Sequence, residues 1–572
     1  MANILNKADL FSAYENTKLE TCVEYAERTG KGITYKDLPT RSDGGIPIAS
    51  FRKNGELNSV FINETHSLII GSTRSGKTTG FVIPMIMMKA MQKEKDSMFI
   101  TDPKGELYSA CAERLKEQGY KVILVNFRDY KHSENWNPLT PIYRKYHKAI
   151  DLEKSVKTSK DESGKILAEF NGKVYGAYGE LREALEREKQ YILNDVANDI
   201  DELCLSMITV ESKRDPYWET SARQLLQAFI YALLEDSVPG TAGDRTLITE
   251  DTFSIRTIMS IYGTFTYSSD SSDGDHGFVA DRGPDSLAKQ YAVSTIISNG
   301  NATRMCILSS FNSKMAPYKE VVTNVITSCN SFELDELVGE EPVAVFVIYR
   351  DECKTSYEAV KQIITATYRK LIDVANAQPD LKLNRPFIFM LDEFGNLPAI
   401  PDFDVTISAC GGRRIWFQIV LQSYSQLANN YGQDTAAIIR ENLNMHIFFG
   451  TNNPETKRAF SEECGKKTIL SPRGVFSGKD ETFEGVGFEE VYVVPVSKLN
   501  YLEPGDCYVT IANFGSVLRS HMERYYLCDE YECKKADVSD YIPKVDVFDK
   551  KYLYEMKKKE PAPGSRRRFD FF

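Results

Sequence analysis

Short apolar runs and longer amphipathic stretches alternate along the first part of the chain. The runs are "SLIIG" (67–71), "SMFITD" (97–102) and "KVILVNF" (121–127), and helical patterns separate them. Strand and helix in alternation predict a parallel sheet with helices on its faces. Near "WNPL" (136–139) the rhythm changes, and from 141 to 325 the pattern is helical. One face runs through Leu181, Leu185, Ile192, Val196, Ile200, Leu203 and Met207 at spacings of 3, 4 or 7. A second helix starts at "DPYW", where Asp215 can cap and Pro216 suits the first helical position; its apolar face is Trp218, Ala222, Leu225, Leu226, Phe229, Ile230 and Leu233. An acidic loop, "SSDSSDGDHG" (268–277), interrupts this block. Strand-like runs return at 342–349, 386–393, 416–423, 444–450 and 506–512. The expected fold class is α/β, with a mainly parallel central sheet interrupted by an inserted all-α domain. The α/β domain takes 46–140 and 326–530, the insertion 141–325, a helical segment 1–45 and a charged tail 531–572.

Composition narrows the function classes. Of 572 residues, 42% are hydrophobic and 26% charged, which excludes wholesale disorder. A membrane span needs roughly 20 apolar residues in a row, whereas Phe81 to Met88, the longest such stretch near the start, has 8. No transmembrane helix and no secretory leader are read, so a cytoplasmic location is expected. The net charge of −11 excludes a protein that coats DNA by bulk charge; any nucleic-acid contact is local. The 11 cysteines form no CxxC pair, and reduced thiols are expected. From Lys550 to Phe572 there are 8 basic residues against 3 acidic ones, the composition of a solvated arm.

"GSTRSGKT" (71–78) fits G-x-x-x-x-G-K-[ST] between an apolar strand and a helical run. In such a loop, backbone N–H groups turn inward to cradle phosphate oxygens, and the helix that follows adds its positive end. Gly71, Ser72, Thr73, Arg74, Ser75, Gly76, Lys77, Thr78 and Thr79 are the candidate nucleotide-binding residues. Lys77 reaches the β- and γ-phosphates of ATP, and the Thr78 hydroxyl ligates Mg²⁺. Pro84 falls inside the following helix and is expected to kink or shorten it.

The second half of the site is "FIFMLDE" (387–393). Five apolar residues bury the strand, and two carboxylates stand at its C-terminal end, the edge where parallel sheets bind ligands. Asp392 is the candidate Mg²⁺ partner and Glu393 the base that activates water. The two halves are expected on adjoining strand ends. The next strand ends at Gln422, placed to sense a γ-phosphate. Between these strands lies "CGGRRIW", where Arg413 or Arg414 could reach a neighbouring subunit's γ-phosphate.

With both halves read, the chain resembles type IV coupling proteins, hexameric RecA-like P-loop ATPases that bring DNA–relaxase substrates to a type IV secretion channel during conjugation. "SLIIGSTRSGKTTG", "TDPKGELY", "WNPL", "DPYWETSARQLLQAFI", "LDEFGNLP", "GGRR" and "LQSYSQL" follow the family's order over about 65–460. The resemblance implies a RecA-like nucleotide-binding domain and an all-α domain that contacts relaxase or relaxosome proteins. It also implies a six-fold ring around a single DNA strand gripped without sequence preference, and partners in the secretion channel. Lys77, Thr78, Asp392 and Glu393 are then catalytic, Gln422 is the sensor, and the arginine finger is Arg413 or Arg414. Family members usually begin with transmembrane helices. Without them, the chain is either a soluble branch, monomeric in dilute solution, or is recruited to the inner face of the membrane by a separate anchor. Two rival functions are a chromosome-partitioning type of DNA translocase and a nucleotide-dependent adaptor that recruits substrate with little turnover.

Overall fold

The computed structural model describes residues 18–42, 44–160, 166–210, 215–265, 277–477, 480–547 and 549–555. Two compact units are distinguished: Met1–Ser133 with Glu333–Ile542, and Glu134–Phe332 with Pro543–Phe572.

The first unit is built on a ten-stranded sheet. Its strands are β1 (Lys18–Thr21), β2 (Ser67–Gly71), β3 (Ser97–Asp102), β4 (Lys121–Asn126), β5 (Val343–Ile348), β6 (Phe387–Leu391), β7 (Ile415–Leu421), β8 (Met445–Gly450), β9 (Asp506–Ile511) and β10 (Ser516–His521). The order across the sheet is β1-β10-β9-β8-β2-β7-β6-β3-β5-β4. From β8 to β4 every pairing is parallel. Those strands read as continuous apolar runs because helices cover both faces; β2, β3, β5 and β6 are buried throughout. The α/β class and the strands expected after 325 are observed.

The far edge differs. There β9 runs antiparallel to both β8 and β10, and β1 joins β10 in parallel. A separate three-stranded sheet is formed by Gly32–Thr34, Ile46–Lys53 and Glu56–Ile62, and a long hairpin by Lys466–Ser477 and Asp480–Tyr492. Residues 18–45 are therefore strand, helix (Cys22–Thr29) and strand, not one helix and a loop. Their strands are three or four residues long and mostly polar, too short to show a period of two. Residues 1–17 lie outside the described residues.

The helix after the phosphate loop is not broken at Pro84. Lys77–Val82 is wound as a wider π-helical stretch, and the α-helix begins at Ile83, so Pro84 stands at the change of winding, where the widened turn makes room for its ring.

The second unit is mainly helical. Tyr178–Met207 is one helix that buries Leu181, Ile192, Val196, Ile200 and Met207. Tyr217–Glu235 buries Ala222, Leu225, Leu226, Phe229, Ile230 and Leu233. Pro216 stands just ahead of this second helix, and Asp215 accepts from Trp218 Nε1 at 3.1 Å. The buried Arg282 pairs at 2.7 Å with the buried carboxylate of Asp236, the residue that follows this helix. The unit is not wholly α. Lys157–Lys160, Ile166–Phe170 and Lys173–Tyr175 form an antiparallel sheet. "KTSK" and "KVY" carry almost no apolar pattern, so sequence reading missed them. The acidic loop lies outside the described residues from 268 to 276. The basic arm does so from 556 onward; just before it, Tyr552 is buried and Thr246 Oγ1 donates to the Glu555 carbonyl at 2.9 Å.

Candidate nucleotide site

Three strand ends meet at one edge of the sheet. Gly71 closes β2, Gln422 follows β7, and Asp392 with Glu393 follows β6. The strands carrying the two halves do not adjoin, because β7 lies between them. That insertion puts Gln422 between the phosphate loop and the carboxylate pair.

The loop is shaped for close backbone approach. Gly76 sits at φ +92°, a region that favours glycine. At Gly71, a Cβ would lie 2.4 Å from Ser75 Oγ and 3.3 Å from the Lys77 side chain, so a larger residue would push on both. Lys77 is nearly enclosed, with 6% of its side chain exposed. Its Nζ donates to the Gly71 carbonyl at 3.2 Å and to Glu393 Oε1 at 3.1 Å. Gln422 Nε2 donates to the other oxygen, Oε2, at 2.9 Å. Glu393 is at φ +51°, a left-handed conformation that costs a non-glycine residue roughly 1–2 kcal/mol. This turn carries its carboxylate sideways to Lys77 and Gln422.

Asp392 is buried, and its main chain is pinned from neighbouring strands. Thr101 Oγ1 and the Tyr349 hydroxyl both donate to its carbonyl, at 3.0 and 3.3 Å. Burial pushes its carboxyl up to about 6; Lys77 opposes that rise and Glu393 adds to it. Asp102 escaped sequence reading. At the end of β3, it is fully buried; the Tyr108 N–H donates to its Oδ2 at 2.8 Å, while Oδ1 has no partner. Burial raises it to about 7, the Tyr108 N–H opposing and Asp392 adding. The signal was present: "SMFITD" is an apolar strand ending in a carboxylate, as "FIFMLD" is.

Both carboxylates have folded pKa values above their usual value of 3.8, so folding favours their protonated forms. Their burial penalty is absent below pH 4 and develops as pH rises from there through 6 and 7. Asp102→Asn is therefore expected to gain thermal stability relative to the parent chain at pH 8, and to gain little at pH 4.5. Paired thermal melts at the two pH values test this; an equal gain at both would mean that titration of Asp102 is not its source.

A cavity of about 480 Å³ opens here, lined by Ser72, Thr73, Arg74, Gly76, Lys77, Thr78 and Thr79, and by Asp392 and Glu393. It also takes in Lys104, Glu106, Arg524 and Tyr526. The last two follow β10 and were not anticipated, since nothing in a polar stretch 450 positions from the loop marks it as a pocket wall. Arg413 and Arg414 are not brought to this cavity. They precede β7, at the opposite edge of the sheet. There Arg413 donates to Asn376 Oδ1 and the Ala409 carbonyl, and Arg414 to the carbonyls of Leu383 and Asn384.

The donor set fits a magnesium–triphosphate. Mg²⁺ keeps several waters and takes one or two protein oxygens besides phosphate oxygens, and Thr78 with the buried Asp392 offers such a pair. No cluster of three or more His, Cys, Asp or Glu suited to a metal is found among the described residues, and a phosphate-borne Mg²⁺ needs none.

Comparison with known proteins agrees with this geometry. Residues 15–480 match the family described as type IV secretory system conjugative DNA transfer. The conjugal transfer protein TraG of Escherichia coli is 22% identical over 468 residues, which cover 78% of this chain and 62% of that protein. Protein VirD4 of Agrobacterium fabrum is 21% identical, over 74% of this chain and 52% of its own length. The chain thus spans between half and two thirds of these relatives. The bacterial conjugative coupling protein TrwB superposes with a TM-score of 0.55 at 15% identity, over 86% of this chain and 92% of that one. TrwB in complex with a non-hydrolysable ATP analogue superposes at 0.53. These likenesses establish the fold.

Proposed function

Because the chain belongs to the type IV secretory system conjugative DNA transfer family, we propose that it is the coupling ATPase of a conjugative system, hydrolysing ATP to drive DNA toward the secretion channel. The observation that carries this reading is the convergence of Lys77, Glu393 and Gln422 within hydrogen-bonding distance, beside the buried Asp392.

In the structure Lys77 is held by Glu393. A triphosphate in the loop offers Lys77 a stronger, doubly charged partner, so nucleotide binding exchanges the ion pair and frees the Glu393 carboxylate. Glu393 then keeps Gln422 as its hydrogen-bond partner, and together they hold and polarise a water in line with the γ-phosphate. Thr78 and Asp392 would hold Mg²⁺ there, and the ion would supply charge neutralisation to the triphosphate. Asp392 would serve as that ligand in its ionised form, which neighbouring Lys77 favours. Arg413 and Arg414 sit at the wrong edge to serve their own site. In a six-membered ring either would act on the neighbour's nucleotide, after leaving its present carbonyl partners.

The second unit is the proposed contact for relaxase or relaxosome proteins. No helix among the described residues is long and apolar enough to cross a membrane; recruitment to the inner face of the membrane by a partner is part of this proposal. DNA contact would be local and sequence-indifferent, given the net charge of −11. Turnover measured with and without single-stranded DNA tests the motor reading. The expected result is stimulation that weakens as salt rises. Tight ATP binding with no turnover under any DNA condition would leave the adaptor function in its place.

A further inference from the structure

The catalytic residues account for the phosphate end of the cavity but not its other wall. That wall is Arg524 and Tyr526, from the segment that follows edge strand β10. It is fitted closely to the phosphate loop. A Cβ on Gly80 would lie 3.4 Å from the Met522 carbonyl, and one on Gly505 would lie 2.8 Å from the same oxygen. Gly505 also sits at φ +101°. Glycines at 80 and 505 therefore let the 522–527 turn approach the helix that begins at Lys77.

Two side chains of this turn, Arg524 and Tyr526, face the cavity. Tyr526 is 54% exposed although it lines a cavity. Its ring is held in place: Arg524 Nη1 donates to the Tyr526 hydroxyl at 2.7 Å, and the Tyr525 ring packs edge-on at 5.5 Å. A ring held this way in the wall of a phosphate-binding cavity offers a face on which a flat group can stack. We infer that Tyr526 is the platform on which the nucleobase stacks, with Arg524 as the positioning residue that sets the ring. This rests on the nucleotide-binding reading above and extends it to the base.

Stacking uses the π-face, which every base has, and reads no hydrogen-bond pattern. Among the described residues, the cavity lining outside the phosphate loop and the carboxylate pair is Pro103, Lys104, Glu106, Arg524 and Tyr526, mostly long-stemmed charged chains and no Asn or Gln amide to read one purine edge. The site is therefore expected to take purine triphosphates with little choice between adenine and guanine.

The test is calorimetric titration of the full chain with Mg-ATP, Mg-GTP and magnesium tripolyphosphate, which has the phosphates and no base. The parent chain should bind ATP and GTP within about 5-fold of each other. Tyr526→Ala should weaken both by roughly 10- to 100-fold, the range for loss of one stacked base. Its tripolyphosphate affinity should not change, which also shows that the pocket still folds. Tyr526→Phe, which keeps the ring but loses the hydroxyl through which Arg524 sets it, should fall between the parent and Tyr526→Ala. If Tyr526→Ala binds ATP like the parent, or loses ATP and tripolyphosphate equally, the platform is refuted while nucleotide binding stands. A parent chain that binds neither ATP nor tripolyphosphate would instead overturn the reading on which the platform rests.

Discussion

Glu393→Gln is expected to lower ATP turnover by about 10²- to 10⁴-fold, the contribution of a well-placed general base, while Mg-ATP binding persists or tightens. Glutamine has the same size and keeps an oxygen for Gln422, whose amide now donates 2.9 Å away. It cannot take a proton from water. It also cannot hold Lys77 as an ion pair, so the cation that now reaches Glu393 at 3.1 Å becomes free for phosphate. Chemistry and affinity should therefore move in opposite directions. Single-turnover hydrolysis and equilibrium binding on the same preparation measure both. Turnover within 10-fold of the parent would assign the base elsewhere, with Asp102 the next carboxylate in line.

Much of this site was legible in the sequence, and the reasons are physical. Lys77 and Thr78 announce themselves because a phosphate cradle demands glycines at set places beside one cation and one hydroxyl. Asp392 and Glu393 are visible because a buried apolar strand that ends in two acids sets both charges at the ligand-binding edge of a parallel sheet. The insertion of β7 between β2 and β6 was not legible, since strand order is decided by which apolar faces pack, not by local pattern. The Lys77–Glu393 pair spans 316 positions and follows from that order. Asp102 showed the right pattern, but its burial depends on β5 and β6 closing over β3. Arg524 and Tyr526 gave no signal, because a pocket wall contributed by an edge-strand return has neither periodicity nor motif. The short polar strands at 18–34 and 157–175 were missed for a related reason: three or four residues cannot display a period.

Lys77→Met is expected to abolish Mg-ATP binding and turnover, and in addition to destabilise the nucleotide-free chain. Lys77 is the only cation hydrogen-bonded to the carboxylate pair among the described contacts, and both it and Glu393 are largely enclosed, at 6% and 13% exposure. Removing one partner of a buried pair leaves an uncompensated charge, at a cost of about 3–5 kcal/mol when burial is complete and less here. The second substitution separates the two roles of this lysine. In Lys77→Met/Glu393→Gln the Glu393 charge is removed with its partner and only the Asp392 carboxyl remains beside the methionine, so stability should recover by about 1–3 kcal/mol relative to Lys77→Met alone. Activity should not recover, because nothing replaces the cation at the phosphates. Denaturant unfolding of the four chains in the cycle gives the coupling directly. Additive losses would mean that Lys77 and Glu393 do not sense one another in solution. The exchange of Lys77 from Glu393 to phosphate, on which the proposed trigger depends, would then have no stored attraction to release.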